Sequence, residues 1–419
     1  MIGWDAMTLS TQCFVIVGGG QAGAWIARTL RAEGYDGRIL LIAKEIHLPY
    51  ERPPLSKDIL SGKTEIASAA LLTADSVATH QIEVWTGTVA TEIDRDARIV
   101  RCADGRSVTY DHLFLTTGSR VRTLPFTQKG EGPKRVHVLR DLDDAQGLRT
   151  AMKSSRRIGV IGGGWIGLEV AATARQMGLD VIVLEAAPRL CGRSLPEEIS
   201  AYLALMHKDH GTDVRTGAAV EKVTATADGV QVDVAGEALH FDHVVIGIGI
   251  VPETDLAAAA GLAVDNGILV DECGRTLDPH ISAAGDVTSH PNAFMGGHVR
   301  MESWANAQNQ AIVAAKAAIG AEAVHADIPW VWSDQYDANF QIIGMPERAA
   351  TLHKRGNEAD GKCCWLAVDA AGKAIGAVSL NMPRELRLVR KALEQDKTPD
   401  LDQWQSDKIR ITEVALLPA

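Results

Sequence analysis

The feature that most limits what this chain can become is a pattern that occurs twice. Cys13-Phe14-Val15-Ile16-Val17 is a short apolar run ending in Gly18-Gly19-Gly20-Gln21-Ala22-Gly23, followed by a helical stretch through Leu30 and a second apolar run from Arg38 to Ala43. Ile158 to Ile161 leads in the same way into Gly162-Gly163-Gly164-Trp165-Ile166-Gly167, a helical stretch to about Met177, and Val181-Ile182-Val183-Leu184-Glu185. Strand, glycine turn, helix and strand in that order read as a βαβ nucleotide-binding unit. The first glycine makes the tight turn, the second lets the backbone approach a pyrophosphate, and the third lets helix pack on strand. The helix N-terminus then offers unpaired N–H groups and the positive end of its dipole to the phosphates. A single glycine motif is a weak signal; here each copy has the strand before it and the helix after it that the chemistry requires.

An acidic residue about 20 positions further on accepts from a ribose 2′-OH and repels a 2′-phosphate. In the second unit Glu185 ends the strand and points to NAD. In the first unit Ala43-Lys44-Glu45 stands there, which leaves Lys44 and Glu45 as rival ribose contacts.

Length and composition bound the rest. At 419 residues the chain is long enough for about three domains. With 42 basic and 53 acidic residues the net charge is −11, which repels phosphate backbones and anionic lipid and argues against a nucleic-acid partner. Six scattered cysteines without C-x-x-C spacing suggest neither a zinc knuckle nor a secreted disulfide framework, and favour a reducing cytoplasm. His47, His112, His210 and His298 show no metal-ligand spacing, so no metal is expected. Residues 1–12 have no basic n-region and read as a frayed, disordered tail, and nowhere do eighteen apolar residues occur together, so no membrane partner is expected.

Ile82 to Tyr110, broken by Asp94-Arg95-Asp96 and Ala103-Asp104-Gly105, reads as a small antiparallel meander. Three further apolar strands run into glycine: Leu113 to Gly118, Val244 to Gly249 and Ile281 to Gly285. From Ile328 the pattern changes to alternating segments, Phe340 to Ile343, Cys364 to Val368 and Ile375 to Leu380, that suggest a separate α+β domain. Cys363 and Cys364 read as strand neighbours on opposite faces. Arg384, Arg387, Arg390 and Lys391 fall at helical spacing opposite Leu386, Val389 and Leu393; a solvated face is the simpler reading and partner docking the alternative.

The combination of G-G-G-Q-A-G at 18–23, L-P-Y-E-R-P-P-L-S-K at 48–57, T-T-G-S-R at 116–120, G-G-G-W-I-G-L-E at 162–169, A-A-G-D at 283–286, E-S-W-A-N-A at 302–307 and P-W-V-W-S-D-Q-Y at 329–336 resembles the FAD-dependent ferredoxin reductases that serve Rieske oxygenases and bacterial cytochromes P450. The resemblance runs from about residue 13 into the C-terminal domain. It implies an α/β fold with two Rossmann-like dinucleotide-binding domains: a discontinuous FAD domain at 13–125 and 251–326, an NAD domain at 126–250, and an α+β interface domain at 327–419.

Carried over residue by residue, the resemblance puts Gly18, Gly20, Ala22 and Gly23 around the FAD pyrophosphate and Asp286 on its pyrophosphate and ribityl side. Arg52 and Lys57 would reach the flavin. Ala90 stands where the family brings backbone to the adenine, Thr117 and Gly118 belong to the T-T-G-S-R match, and Arg140 matches a further FAD contact. Trp304, commonly a smaller residue, and Trp332 would border the flavin ring. Gly162, Gly164, Ile166 and Gly167 would hold the NAD pyrophosphate, with Glu185 and Arg193 near its ribose, and Glu169 would pair with Lys57 close to flavin N5. From spacing alone, Lys57 and Glu169 read as an ordinary surface ion pair or as not touching at all.

The implied activity is hydride transfer from NADH to FAD and single-electron transfer to a [2Fe-2S] ferredoxin, by a monomer or weak homodimer. A disulfide reductase needs a cysteine pair beside the flavin, and the stretch from Glu45 to Lys63 contains none. A rubredoxin reductase or NADH oxidase remains an alternative of the same class. An NADH-sensing flavoprotein interaction module is the alternative from another class, and a protein of that kind with DNA affinity would need a basic surface this chain lacks.

Overall fold

A computed structural model of the chain describes residues 12–129 and 134–418, so most of the expected tail lies outside the described residues. The chain divides into two compact units. One comprises the residues through Glu51, Ala67–Arg120 and Pro252–Asp327; the other comprises Arg52–Ile66, Val121–Val251 and the residues from Ile328 onward.

The first unit is built on a parallel five-stranded sheet in the order Ile281–Ala283, His112–Leu115, Cys13–Val17, Arg38–Ile42, Ile82–Trp85. Its inner strands are continuous Val, Ile, Leu and Phe runs, as a sheet buried on both faces requires. One face packs against the helices Gln21–Ala32 and Trp304–Ala318 through Ile26, Leu30, Ala311 and Ala314. The other packs against Ile93, Val100 and Val108 of a three-stranded meander, Ala90–Asp94, Ile99–Cys102 and Ser107–Thr109. The meander is thus shorter than its sequence suggests. Ile82–Trp85 pairs parallel with Arg38–Ile42 and belongs to the main sheet, at whose edge Ile82 is buried, Glu83 exposed and Val84 and Trp85 half-buried.

The second unit repeats the parallel sheet with Val136–His137, His243–Ile246, Arg157–Ile161, Asp180–Glu185 and Asp213–Thr216 in matching order. It also carries a five-stranded antiparallel sheet ordered Trp330–Gln335, Ala338–Gly344, Ala374–Leu380, Lys362–Val368, Thr351–Asn357. The helices Trp165–Gln176 and Glu197–Asp209 lie between the two sheets, with Trp165 and Tyr202 against Phe340 and Tyr202 against Trp365. Cys363 joins Trp365 in that core, whereas Cys364, one residue on, faces Arg355 and Glu385. Among the described residues no helix is long and apolar enough to cross a membrane.

Candidate functional site

In the first unit the glycine turn has the geometry its chemistry demands. Gly18 adopts φ +124°, and a Cβ there would lie 2.1 Å from the carbonyl oxygen of Thr116. A Cβ on Gly23 would lie 2.0 Å from the oxygen of Gly18, so only glycine lets the helix seat on the strand. Gly20, between them, caps the helix Gln21–Ala32, and a Cβ there would meet nothing within 4 Å. The turn therefore has two crowded glycines and one that faces open space. Ala22 is buried in the first helical turn, 3.1 Å from where a Cβ of Gly285 would be, which sets the Gly285-Asp286 loop beside the turn.

Gln310 fixes that loop by accepting from the backbone N–H of Gly285 at 2.8 Å and from the Thr288 hydroxyl at 2.9 Å. Asp286 follows it, half-buried. Trp304 opens the helix capped by Ser303, whose hydroxyl accepts from the Asn306 N–H at 3.1 Å. With its amide oriented to satisfy both indoles, Gln21 accepts from Trp25 and Trp304 at 3.0 Å each, so the Trp304 ring is tied to the first helical turn after the glycines. Thr117 donates to the Glu253 carbonyl at 2.7 Å, and Gly118 accepts from the Glu253 N–H. Ala90, half-buried, begins the meander opposite Cys102.

Sheet register decides which residue stands where an acid would. Val17 pairs with Ile42, and Ile161 pairs with Leu184, so Ala43 of the first unit corresponds to Glu185 of the second. Lys44 and Glu45 lie one and two residues beyond it. Lys44 is exposed, whereas the Glu45 carboxylate accepts from the Tyr50 hydroxyl.

The second unit repeats the turn. Gly162 has φ +112° with its Cβ position 2.3 Å from the Gly247 oxygen, Gly167 would clash with Gly162 at 2.2 Å, and Gly164 again faces open space. Glu185 accepts from the N–H groups of Gly163 at 2.5 Å and Ala187 at 2.7 Å, which aims its carboxylate at the turn. Ile166, on the first turn of the helix, is 47% exposed, unusual for an isoleucine beside buried neighbours. Arg193 is exposed and places Nη2 3.7 Å from the Cβ position of Gly249, the last glycine after the strand His243–Ile246.

Lys57 and Glu169 come together, and not on the surface. Arg52 leads into a short 3₁₀ turn, Pro53–Ser56, in which two prolines fix the backbone, and Arg52 donates to the Arg140 carbonyl. Lys57 then turns back so that Nζ donates to the Pro53 carbonyl at 3.1 Å and lies 2.9 Å from Glu169 Oε2. The side chains are 17% and 3% exposed. Ser56 donates to the same carboxylate oxygen at 2.5 Å, and Ser333 to Oε1 at 2.6 Å. One turn on, Thr173 donates to the Ser56 carbonyl at 2.8 Å, so the helix holds the Arg52–Lys57 segment at two points. Trp332 stands one residue before Ser333 on the same strand and stacks on Trp330 with ring centroids 5.2 Å apart; the Arg390 guanidinium lies over Trp330 at 5.7 Å.

Ser56 and Ser333 lie inside the 48–57 and 329–336 motifs without a role of their own there, and Thr173 has no sequence signature. Ser333 and Gln335 do share a face, because residues two apart in a strand point the same way, and polar residues there inside an aromatic run were the available signal.

Residues 13–311 match the family described as pyridine nucleotide-disulphide oxidoreductase, and 330–415 match the one described as reductase C-terminal. The chain is 41% identical to the anthranilate 1,2-dioxygenase system ferredoxin–NAD(+) reductase component of Burkholderia cepacia, over 94% of this chain and 97% of that one. Its fold is similar to the ferredoxin reductase for the CYP199A2 system from Rhodopseudomonas palustris (TM-score 0.91, 37% identity, 96% of this chain and 99% of that chain). It is also similar to the covalent putidaredoxin reductase–putidaredoxin complex (TM-score 0.91, 34% identity, 96% and 98%). With two glycine turns of matching geometry and a match across 13–311, the chain belongs to the pyridine nucleotide-disulphide oxidoreductase family and carries a reductase C-terminal domain.

Proposed function

We propose that the chain is an NADH-dependent ferredoxin reductase that passes electrons singly to a [2Fe-2S] ferredoxin feeding an oxygenase in a reducing cytoplasm. The observation that carries this reading is the pair of dinucleotide cradles in a chain with no cysteine between Glu45 and Lys63, which leaves no dithiol to receive the electrons. Relatives whose names state the same activity support it.

The open space before Gly20, flanked by Gly18 and Gly23, fits a pyrophosphate, and bound FAD would supply the conversion of a two-electron donor into single electrons. Gly18, Gly20, Ala22, Gly23 and Asp286 would hold its phosphates, with Lys44 or Glu45, Ala90, Thr117, Gly118, Arg140 and Trp304 along the rest of it. Arg52, Lys57 and Trp332 would meet its flavin ring. Gly162, Gly164, Ile166 and Gly167 would hold NADH at its phosphates, and Glu185 and Arg193 at its ribose. The protein's share is orientation and charge: Lys57 presents a positive group beside the reacting atoms, and Glu169 fixes where it points. In this reading the segments 13–125 and 251–326 form the FAD domain, 126–250 the NAD domain and 327–419 the interface domain.

Glu185→Ser is expected to lower the NADH over NADPH preference in kcat/KM by about tenfold, the usual worth of one hydrogen bond to a charged group. An unchanged ratio removes Glu185 from the ribose.

The function itself is tested by NADH-driven reduction of a [2Fe-2S] ferredoxin. On the helix Pro383–Glu394, Leu386 and Val389 are buried while Arg384, Arg387 and Lys391 are exposed, and Arg390 covers Trp330. An acidic ferredoxin would meet this basic face against the chain's net −11. Ferredoxin reduction should weaken as salt brings the Debye length below about 10 Å, while reduction of a small dye should not. Charge reversal at Arg387 and Lys391 should do the same. Salt-insensitive ferredoxin reduction that survives both reversals would reject the docking face, and failure to reduce any [2Fe-2S] protein would reject the function.

A further inference from the structure

Behind Glu169 lies a line of buried polar groups that the reductase reading does not use. Gln335 Nε2 is 3.0 Å from Ser333 Oγ, His207 Nε2 is 2.7 Å from Gln335 Oε1, and Tyr336 OH is 3.3 Å from His207 Nδ1. Thr212 Oγ1 follows at 3.4 Å from the phenol, and exposed His210 stacks on the Tyr336 ring at 3.7 Å. His207 is fully buried, as are Ser333 and Gln335. Leaving such groups unpaired would cost heavily, yet each finds a partner.

The chemistry of each group sets the direction of the line. An ionised carboxylate can only accept, so Ser333 donates its hydroxyl proton to Glu169 Oε1. The Ser333 oxygen then accepts from the Gln335 amide N–H, which turns the amide oxygen toward His207. That oxygen requires a proton on Nε2, so Nδ1 keeps its lone pair and accepts from the Tyr336 hydroxyl. Burial, with a smaller opposing effect from the Gln335 hydrogen bond, pushes the His207 imidazole down to about 4, consistent with a neutral ring. Every donor from Tyr336 inward points at Glu169. Dipoles aligned in this way strengthen one another in a low-dielectric interior. An amide in the middle has no acidic proton to hand on, so the line polarises the carboxylate and does not conduct protons to it.

We propose that Ser333, Gln335 and His207 are positioning residues of the reductase reaction, a one-way donor chain that aims the Glu169 carboxylate at Lys57. This rests on the reading that Lys57 acts beside the flavin. Ser56 and Lys57 hold Oε2 and the chain holds Oε1; without it the carboxylate is held at Oε2 alone and its plane, and with it the direction in which Lys57 is anchored, is less firmly fixed.

The test has one arm that needs no turnover. In the ¹⁵N-histidine-labelled holoenzyme, with the resonance assigned through His207→Gln, His207 is expected to be neutral and protonated on Nε2 at neutral pH, and Gln335→Met should abolish that preference. A protonated ring or an Nδ1–H tautomer overturns the proposal.

The second arm is stopped-flow reduction of bound flavin by NADH. Ser333→Ala should lower the limiting rate by about tenfold, the scale of a lost hydrogen bond to a charged group, with NADH affinity unchanged. Ser333→Cys, which keeps a weak donor of similar size, should fall between alanine and serine. Equal rates for serine and alanine, or a cysteine variant no better than alanine, reject the chain. Lys57→Met separates the two failures: if it too reduces normally, the reading of Lys57 is wrong, and if it is slow while Ser333→Ala is normal, only the chain is wrong.

Discussion

Lys57→Met is expected to slow flavin reduction by NADH by about a hundredfold or to cost the protein its flavin. Removing one member of a buried ion pair typically costs about 3–5 kcal/mol, because the partner is left charged and desolvated. The figure here falls toward about 2–3 kcal/mol, since Lys57 retains some solvent contact and the two serine hydroxyls still hold Glu169. Stopped-flow flavin reduction and the flavin-to-protein absorbance ratio of the purified variant read the two effects separately. Normal reduction with full flavin content would show that the pair is structural only. Glu169→Gln provides the complement: it removes the charge that Lys57 leans on but keeps an acceptor for Ser333, so its defect should be smaller than that of Lys57→Met.

Two neighbouring glycines should fail in opposite ways. Gly18→Ala forces a side chain into φ +124° and drives its Cβ to 2.1 Å from the Thr116 carbonyl oxygen. That strain should exceed about 3 kcal/mol and lower Tm by roughly 10 °C with or without flavin. Gly20→Ala meets no protein atom within 4 Å. Flavin-stripped protein carrying it should melt within about 3 °C of the parent, as expected for a capping change of up to about 1 kcal/mol. Its flavin affinity should nevertheless drop by about tenfold or more, because the added methyl group occupies the approach to the phosphates. Thermal unfolding and fluorescence titration with FAD distinguish them. If Gly20→Ala binds FAD as tightly as the parent, the space before Gly20 is not the pyrophosphate site.

Both glycine turns were legible because they are local: strand, turn and helix follow one another without a break. The same locality misled at Ile82–Trp85, an edge strand of a parallel sheet in which the exposed Glu83 among apolar residues reads like a hairpin strand. Counting residues could not align Ala43 with Glu185, because the distance from the first glycine differs between the two units; only the hydrogen-bonded register does so. The surroundings of Glu169 were hidden for a different reason. Ser56, Ser333, Gln335 and His207 reach it from segments far apart in sequence, each in a stretch whose own pattern speaks of a turn, a strand or a helix. The family resemblance anticipated the Lys57–Glu169 pair, which residue spacing alone had assigned to the surface or to no contact.

The strand order of the first unit has a consequence for synthesis. His112–Leu115 lies between Cys13–Val17 and Ile281–Ala283, so one of its two edges is completed only after residues 116–280 have been made. At about 5–20 residues per second that interval lasts roughly ten seconds or longer. For its duration the nascent chain carries an apolar strand, His-Leu-Phe-Leu, with a row of unpaired backbone groups, the kind of edge that pairs with neighbouring chains. The second parallel sheet waits about half as long, since Arg157–Ile161 gains His243–Ile246 once residues 162–242 have been made. Assembly on the ribosome therefore runs against chain order, with the sheet of the inserted Val121–Val251 stretch complete before the sheet that flanks it on both sides in sequence.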